Sequence, residues 1–487
     1  MAASRHLWIP AACLAAWLAA FCAPAQAEED VLAGPAYARF RLTLSSGWRE
    51  EVAGPFFYEQ TSAGQRQWAV PPFFCRTLTP EVDWSEWELL YPLINYRRFG
   101  REYRLQLAQI WSLSGGDRED GNAARRATVF PLYFSQRSRD TNLNYTAVFP
   151  FYGHLENRMF RDDIKFLLFP LYSKTRKKDV VTDNYIFPIF DRRRGDGLTG
   201  WQVWPFVGKD RKRPTFRTNN LDNTVQTIGG YDQWFTLWPF YFNTRAGLGT
   251  TNPAASLTLV PFFSQTRSPS RDETSWGFPL GVNAIQDREQ GYVEHDVLWP
   301  LFVRAHGSKT VTRYFPFYSR AEHNGTESLF YGFLLYKFNR LQAPPLERRR
   351  TRVMYFLYSD TVERNTQSRE FKRFVDVWPF YSYHRDLDGN RRTQALAVLE
   401  PLFPNNRSIA REYSPLWALW RAEKNPHTGA FSQSLLWNLY RRQIVGQTKK
   451  ASLLFGLFQY QSTPEGGGWH LCHRHPGRKA AGNAAKS

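Results

Sequence analysis

Hydrophobic and polar positions follow two patterns along this chain. Short stretches alternate with period two. In Tyr103-Arg104-Leu105-Gln106-Leu107 the Tyr and both Leu share one face while Arg104 and Gln106 share the other, as in a half-buried β-strand. Between such stretches returns a phrase with no polar position: apolar, aromatic, proline, apolar, aromatic. It reads Val-Phe-Pro-Leu-Tyr at 129–133, Val-Phe-Pro-Phe-Tyr at 148–152, Leu-Phe-Pro-Leu-Tyr at 168–172, Ile-Phe-Pro-Ile-Phe at 186–190 and Val-Trp-Pro-Phe-Val at 203–207. Its prolines are Pro131, Pro150, Pro170, Pro188, Pro205, Pro239, Pro261, Pro279, Pro300 and Pro316, and it recovers at Pro379. The steps between the first ten are 19, 20, 18, 17, 34, 22, 18, 21 and 16, the 34 reading as two periods with one phrase lost. Self-similarity at a near-fixed period is the signature of a repeat architecture.

Proline at the centre of copy after copy excludes a helix. A strand of about ten residues plus a turn uses up the period. Arg194-Gly195-Asp196-Gly197, His323-Asn324-Gly325 and Asp386-Leu387-Asp388-Gly389-Asn390 supply turn chemistry between phrases. The chain therefore predicts an all-β fold, a large antiparallel repeat of about 18 strands joined by hairpins. Within Ala147–His154, strict alternation would put Ala147, Phe149 and Phe151 on one face and Val148, Pro150 and Tyr152 on the other, both apolar at mid-strand. Two faces hidden at one level point to a closed β-barrel, with the prolines as bulges that curve each strand. A soluble stacked sheet, propeller or solenoid is the alternative, although a propeller blade needs a period nearer 40–50 residues.

Four segments follow from this pattern: 1–27, a degenerate N-terminal part of the same sheet at 28–116, the aromatic–proline repeat region at 117–460, and an unpatterned basic tail at 461–487. Gly115 to Asn122 is a polar break that reads as a long loop. The first segment has Arg5, an apolar run from Leu7 to Cys22 and Ala25-Gln26-Ala27 before an acidic triplet, the layout of a signal peptide. The mature chain is expected to begin near Glu28 and to be exported, in a bacterial cell envelope.

Composition strengthens the strand reading: aromatics are 16% of residues, with 38 Phe, 24 Tyr and 18 Trp against 3 Met. Net charge is +19, or +18 without Arg5. The basic runs Lys177-Lys178, Arg192-Arg193-Arg194, Arg211-Lys212-Arg213 and Arg348-Arg349-Arg350 read as solvated turns. Outside the cytoplasm a basic surface points to membrane lipid or an anionic envelope polymer as partner. Nucleic acid is not expected, since no nucleic-acid-binding motif is present. Only Cys75 and Cys472 follow the signal segment, which excludes a disulfide scaffold and leaves one long-range bridge between them open.

Little catalytic chemistry is written in the chain. No Gly-x-Ser-x-Gly, His-Glu-x-x-His, phosphate-binding loop or dinucleotide fingerprint occurs. Asp162 and Asp163 are neighbours on a strand and point to opposite faces. Asp386 to Asn390 begins like a calcium loop but has Gly389 at position 4, not 6, and Ala397 at position 12. His470, Cys472, His473 and His475 sit in the tail as an incidental chelating group. No cofactor, no metal and no enzymatic activity are expected. Trp204, Trp238, Trp299 and Trp378 are the candidates for stacking on sugar rings, against a purely structural aromatic core. The function expected is an outer-membrane β-barrel with a structural or transport role toward an anionic solute or envelope polymer. A soluble periplasmic or secreted binding module is the alternative, and a polysaccharide-acting enzyme comes third.

Overall fold

The computed structural model describes residues 30–34, 36–117, 124–218, 225–404 and 406–471. They form an all-β chain in which one antiparallel sheet has 43 strands, and most strands are five to eight residues long. Within this sheet each strand pairs with the one that follows it, with a single excursion after Val207–Lys212, so the sheet is a meander of hairpins. The repeat and the antiparallel hairpins expected from the sequence are present, but the strand number is not about 18.

The reason is the position of the phrase. One period holds two strands, as in Tyr172–Lys177 and Val180–Tyr185, and the phrase is the turn between one hairpin and the next. Val148 faces Tyr152, and Ala147 faces Gly153, across a chain that has reversed direction. The alternation predicted through Phe149, Pro150 and Phe151 is therefore broken. The prolines lie in turns and not at mid-strand bulges. Pro131, Pro150, Pro170, Pro188, Pro205, Pro239, Pro261, Pro279, Pro300, Pro316 and Pro379 all follow cis peptide bonds. In Val148-Phe149-Pro150-Phe151 the Phe151 amide donates to the Val148 carbonyl at 2.8 Å, the geometry of a β-turn with cis-proline at its third position. Proline suits this place, because its missing N–H removes nothing from the strand ladder.

The opposite edge carries the tight turns, with positive φ at Asp196 and Gly197 and at Asn324 and Gly325. Asp386 to Asn390 is likewise a hairpin connection, closed by the Asn390 amide on Asp386 Oδ1 at 2.8 Å. The step of 34 residues is not a lost phrase. Thr215–Thr218 and Val225–Ile228 form a separate two-stranded sheet, after which Gly230–Thr236 returns to pair with Val207–Lys212. Three basic runs also differ from expectation: Arg192-Arg193-Arg194 lies within the strand Phe190–Gly195, Arg348-Arg349-Arg350 within Leu346–Val353, and Arg211 and Lys212 end the strand Val207–Lys212. Strands continue to Gly466–Leu471, so the regular pattern outlasts residue 460 and His470 is part of it. Residues 1–27, read from the sequence as a signal peptide, lie outside the described residues, as do Cys472, His473, His475 and most of the Gly115–Asn122 break.

Register keeps one face continuous from end to end. A row of directly opposed residues begins at Leu32, Ala38, Glu51, Tyr58, Ala69, Cys75 and Glu88. It passes through Ala147, Gly153, Phe166, Ser173, Asn184, Asp191 and Gln202 and ends at Arg441, Ser452, Gln459 and His470. This face is mostly small or polar. At the two ends of the ribbon it meets itself. Asn438 donates to Glu51 at 2.7 Å, Gln459 to the Leu32 carbonyl at 3.0 Å, and Lys450 pairs with Asp30 at 3.3 Å. The guanidinium of Arg441 lies 3.5 Å over the Phe40 ring. Two short helices, α1 (Arg407–Glu412) and α2 (Ser414–Trp417), are inserted before the last strands, and α1 lies against the first ones. From it Arg411 reaches Glu86 at 2.9 Å and Glu88 at 3.1 Å. Among the described residues Val31–Ala33 and Gly466–Leu471 do not pair, so the ends overlap face to face and no hydrogen-bonded barrel closes.

The shape is open. Many large apolar side chains stay exposed, Phe151, Phe206, Phe317 and Phe380 among them. Apolar burial is accordingly local: Phe134, Tyr145, Ala147, Leu155 and Phe166 form one cluster, and two smaller ones sit near Tyr58 and Val303.

Candidate functional site: an apolar rim and the chamber behind it

Stacked phrases make one continuous edge. The Phe149 amide donates to the Leu132 carbonyl, Phe169 to Pro150 and Phe187 to Pro170, so each turn is hydrogen-bonded to the last and the ladder runs on through the turns. Within a phrase the two middle apolar positions diverge. The aromatic before proline turns inward and meets its counterpart in the next phrase. Phe149, Phe169 and Phe187 follow one another with centroids 5.4 and 5.6 Å apart, and Phe315 and Phe333 lie 5.2 Å apart. The residue after proline points out: Phe151, Leu171, Ile189, Phe206, Phe240 and Phe262 are exposed, and Phe317 reaches 75% and Phe380 70%. Beside it the first strand residues make a second apolar row on the outer face, Tyr152, Leu167, Tyr172, Tyr185, Phe190 and Val203. One position further along the same face the residues are His154, Lys165, Lys174, Asp183, Arg192 and Trp201, mostly charged. The apolar surface is therefore a rim and not a belt. From the turn to the second row it is about 7–10 Å deep at ~3.3 Å per residue.

Large exposed apolar areas on a protein mark contact with a partner or a lipid phase. This one follows the phrase edge, whereas the other edge carries mainly charged turns, Lys178 and Asp179, Asp196 beside Lys212, and Asp272 paired with Arg288, with Met159 and Phe160 as exposed apolar exceptions.

Behind the rim, on the inner face, lies a chamber of about 600 Å³. Phe130, Phe149, Phe166, Phe169 and Phe187 wall it, and Arg193, Asp191, Asn184 and Gln202 close its polar side. Arg193 is held by Asp191 at 2.9 Å, Asp210 at 2.5 Å and Gln202 at 2.9 Å. Burial pushes the Asp191 carboxyl up, against the pull of Arg193. The size is that of a small-molecule site: apolar walls with a few converging polar groups.

The four tryptophans singled out from the sequence all stand before the proline of a phrase turn, but they do not form one patch. Trp204 and Trp238 meet at a tilt of 52° with centroids 5.6 Å apart. Trp378 lies edge-on to Phe356 at 5.2 Å and donates its indole N–H to the Val398 carbonyl at 2.9 Å. Trp299 sits on a separate turn and is exposed. The chamber itself was missed by sequence reasoning. Its signal was available: in the phrases around it, at 130, 149, 169 and 187, the pre-proline residue is Phe, where the next two have Trp. Asp162 and Asp163 diverge as expected, Asp162 accepting from the Lys178 amide and Asp163 facing His154 at 3.1 Å. No protein-family model matches the chain, and no curated protein matches it in sequence.

Proposed function

We propose that this chain is an exported protein of the bacterial cell envelope, and that it seats the aromatic–proline rim in an anionic lipid surface. The observation that carries this reading is the rim: an unbroken apolar edge of the depth by which interfacial elements enter the boundary between headgroups and acyl chains. The charge of +18 that remains without Arg5 favours the anionic headgroups around it. In this reading the sheet is the wall of a barrel-like enclosure whose ends overlap, and its polar inner face borders a hydrated interior. The role is then structural or transport, toward an amphiphile with an anionic head. The chamber offers its apolar tail a place among the phenylalanines and its head the vicinity of Arg193. The signal-like segment at 1–27 supports export, and the outer membrane is the destination we favour.

Flotation with liposomes tests the reading. The protein is expected to float with vesicles containing anionic phospholipid or lipopolysaccharide and less with neutral ones. Replacing Phe151, Phe206, Phe317 and Phe380 with Ser leaves the melting temperature nearly unchanged, because these side chains are exposed. It should weaken vesicle binding at least a hundredfold, given about 1.5–3 kcal/mol for each fully buried Phe. A wild-type protein that stays at the bottom of the gradient identifies a soluble periplasmic or secreted binding module instead. Resistance of the whole strand ladder to carbonate extraction and to added protease would favour a fully spanning barrel.

A further inference from the structure

A buried cluster at the overlap of the two sheet ends serves neither the rim nor the chamber. Cys75, on Phe74–Thr79, and Glu88, on Trp84–Leu89, face each other in register on the inner side. Glu412, the last residue of α1, reaches them from the far end of the chain. All three are buried, and the sulfur and one oxygen of each carboxylate lie within 4.8 Å of one another. Glu412 is under-satisfied there. Its Oε2 accepts from the Tyr91 amide at 3.3 Å, while Oε1, on a side chain with no exposed surface, has no hydrogen-bond partner. An ionised carboxylate only accepts, so two of them side by side need a proton or a cation between them.

We propose that Cys75, Glu88 and Glu412 form a binding site for a divalent cation of the zinc class, clasping the first strands to the end of α1. The donor set selects the ion: calcium and magnesium take oxygen alone, whereas one sulfur with carboxylate oxygens suits zinc or cobalt. Three protein ligands leave a fourth position open. Glu88 is held for this role by Ser408, which donates to it at 2.6 Å, and by Arg411 at 3.1 Å.

Charge balances in both states. Without the ion, burial and the neighbouring Glu88 push Glu412 up to about 8, and burial pushes the Cys75 thiol up to about 12. Both groups then hold their protons at neutral pH. Binding of the divalent ion displaces one proton from the thiol and one from Glu412 to solvent, so the charge of the pocket does not change. Arg411 stays paired with Glu86 and Glu88 throughout.

Cobalt is the probe, used on a full-length chain in which Cys13, Cys22 and Cys472 are Ser and His473 and His475 are Ala. Cys75 is then the only thiol, and of the tail's chelating group only His470 remains. One cobalt ion per chain is expected, with the near-ultraviolet thiolate-to-cobalt charge-transfer band. Zinc should displace it and raise the melting temperature. Cys75→Ser in the same background should lose the band, and Glu412→Gln, close in shape, should lower affinity at least tenfold while circular dichroism stays that of the β-sheet. A wild-type cluster that shows neither band nor stoichiometric ion would overturn the proposal and leave a shared proton between Glu88 and Glu412. Should either variant prove unfolded, the band and the stoichiometry in the Cys75-only chain decide alone. Loss of liposome binding by the rim has no bearing on this result, so the two readings fail separately.

Discussion

Single residues on the inner face carry charge that the strands bring too close together. On Tyr292–Val297, Tyr292, Glu294 and Asp296 share that face, and the Tyr292 hydroxyl donates to Glu294. Burial, and then Asp296, push Glu294 up to about 7; Lys309 and Arg271 pull the other way without cancelling it. A carboxyl raised from 4.5 binds its proton more tightly folded than unfolded. Its contribution to stability is therefore complete below pH 4.5 and is lost as pH rises through about 7. Thermal melts between pH 5 and 8.5 should show this decline, and Glu294→Gln should flatten it. A melt of the wild type that rises across the same window would contradict the assignment. None of this was legible in the sequence. Glu294 and Asp296 stand two apart in a strand like many other pairs, and only burial against the neighbouring strands makes their proximity costly.

At the level of the hairpin, packing depends on missing side chains as much as on present ones. A Cβ on Gly153 would sit 2.3 Å from the Phe166 ring and 2.5 Å from Ala147, and one on Gly208 would sit 2.3 Å from Phe235. In both places an inner-row glycine gives its space to a phenylalanine on the next strand, which covers the exposed backbone. Gly153→Val is expected to destabilise by about 1–3 kcal/mol through overpacking, read as a lower urea midpoint with unchanged slope. The hairpin scale is also where sequence reading went half wrong. Apolar–aromatic–proline–apolar–aromatic has the alternation of a strand, and hydrophobic periodicity cannot tell a buried strand from a turn whose apolar residues are exposed. Proline was the decisive residue: it cannot donate to a ladder, and that argued for a turn more strongly than for a bulge. The Asp-Gly and Asn-Gly turns at the other edge were legible because their chemistry demands positive φ at Asp196, Gly197, Asn324 and Gly325. The period of about 19 is legible too, but it counts hairpins of two strands each and not single strands. At the overlap, Cys75 and Glu412 lie 337 positions apart, a distance over which no local pattern operates.

Over the whole molecule, each hairpin touches chiefly its two neighbours, and the ends are held by α1 and the pairs around it. Arg411 there is largely buried with Glu86 and Glu88, an arrangement in which removal of one partner leaves uncompensated charge. The girth of the molecule is then set by counting, in the way a strap is sized by its links. Each link is a phrase turn, a strand, a tight turn and a second strand, and it spans ~9–10 Å of circumference. Removing residues 168–185 takes out one link and joins Leu167 to Ile186. Arg161–Leu167 would then face Phe190–Gly195 with Leu167 opposite Phe190 and Phe166 opposite Asp191, every side chain on its original face. Such a chain is expected to fold with a native β-sheet spectrum and an intact overlap, whereas removal of only residues 178–185 inverts the following faces and should leave it insoluble. A lineage that gains or loses whole links can change the width of its sheet without redesigning the apolar rim or the joint that holds the ends.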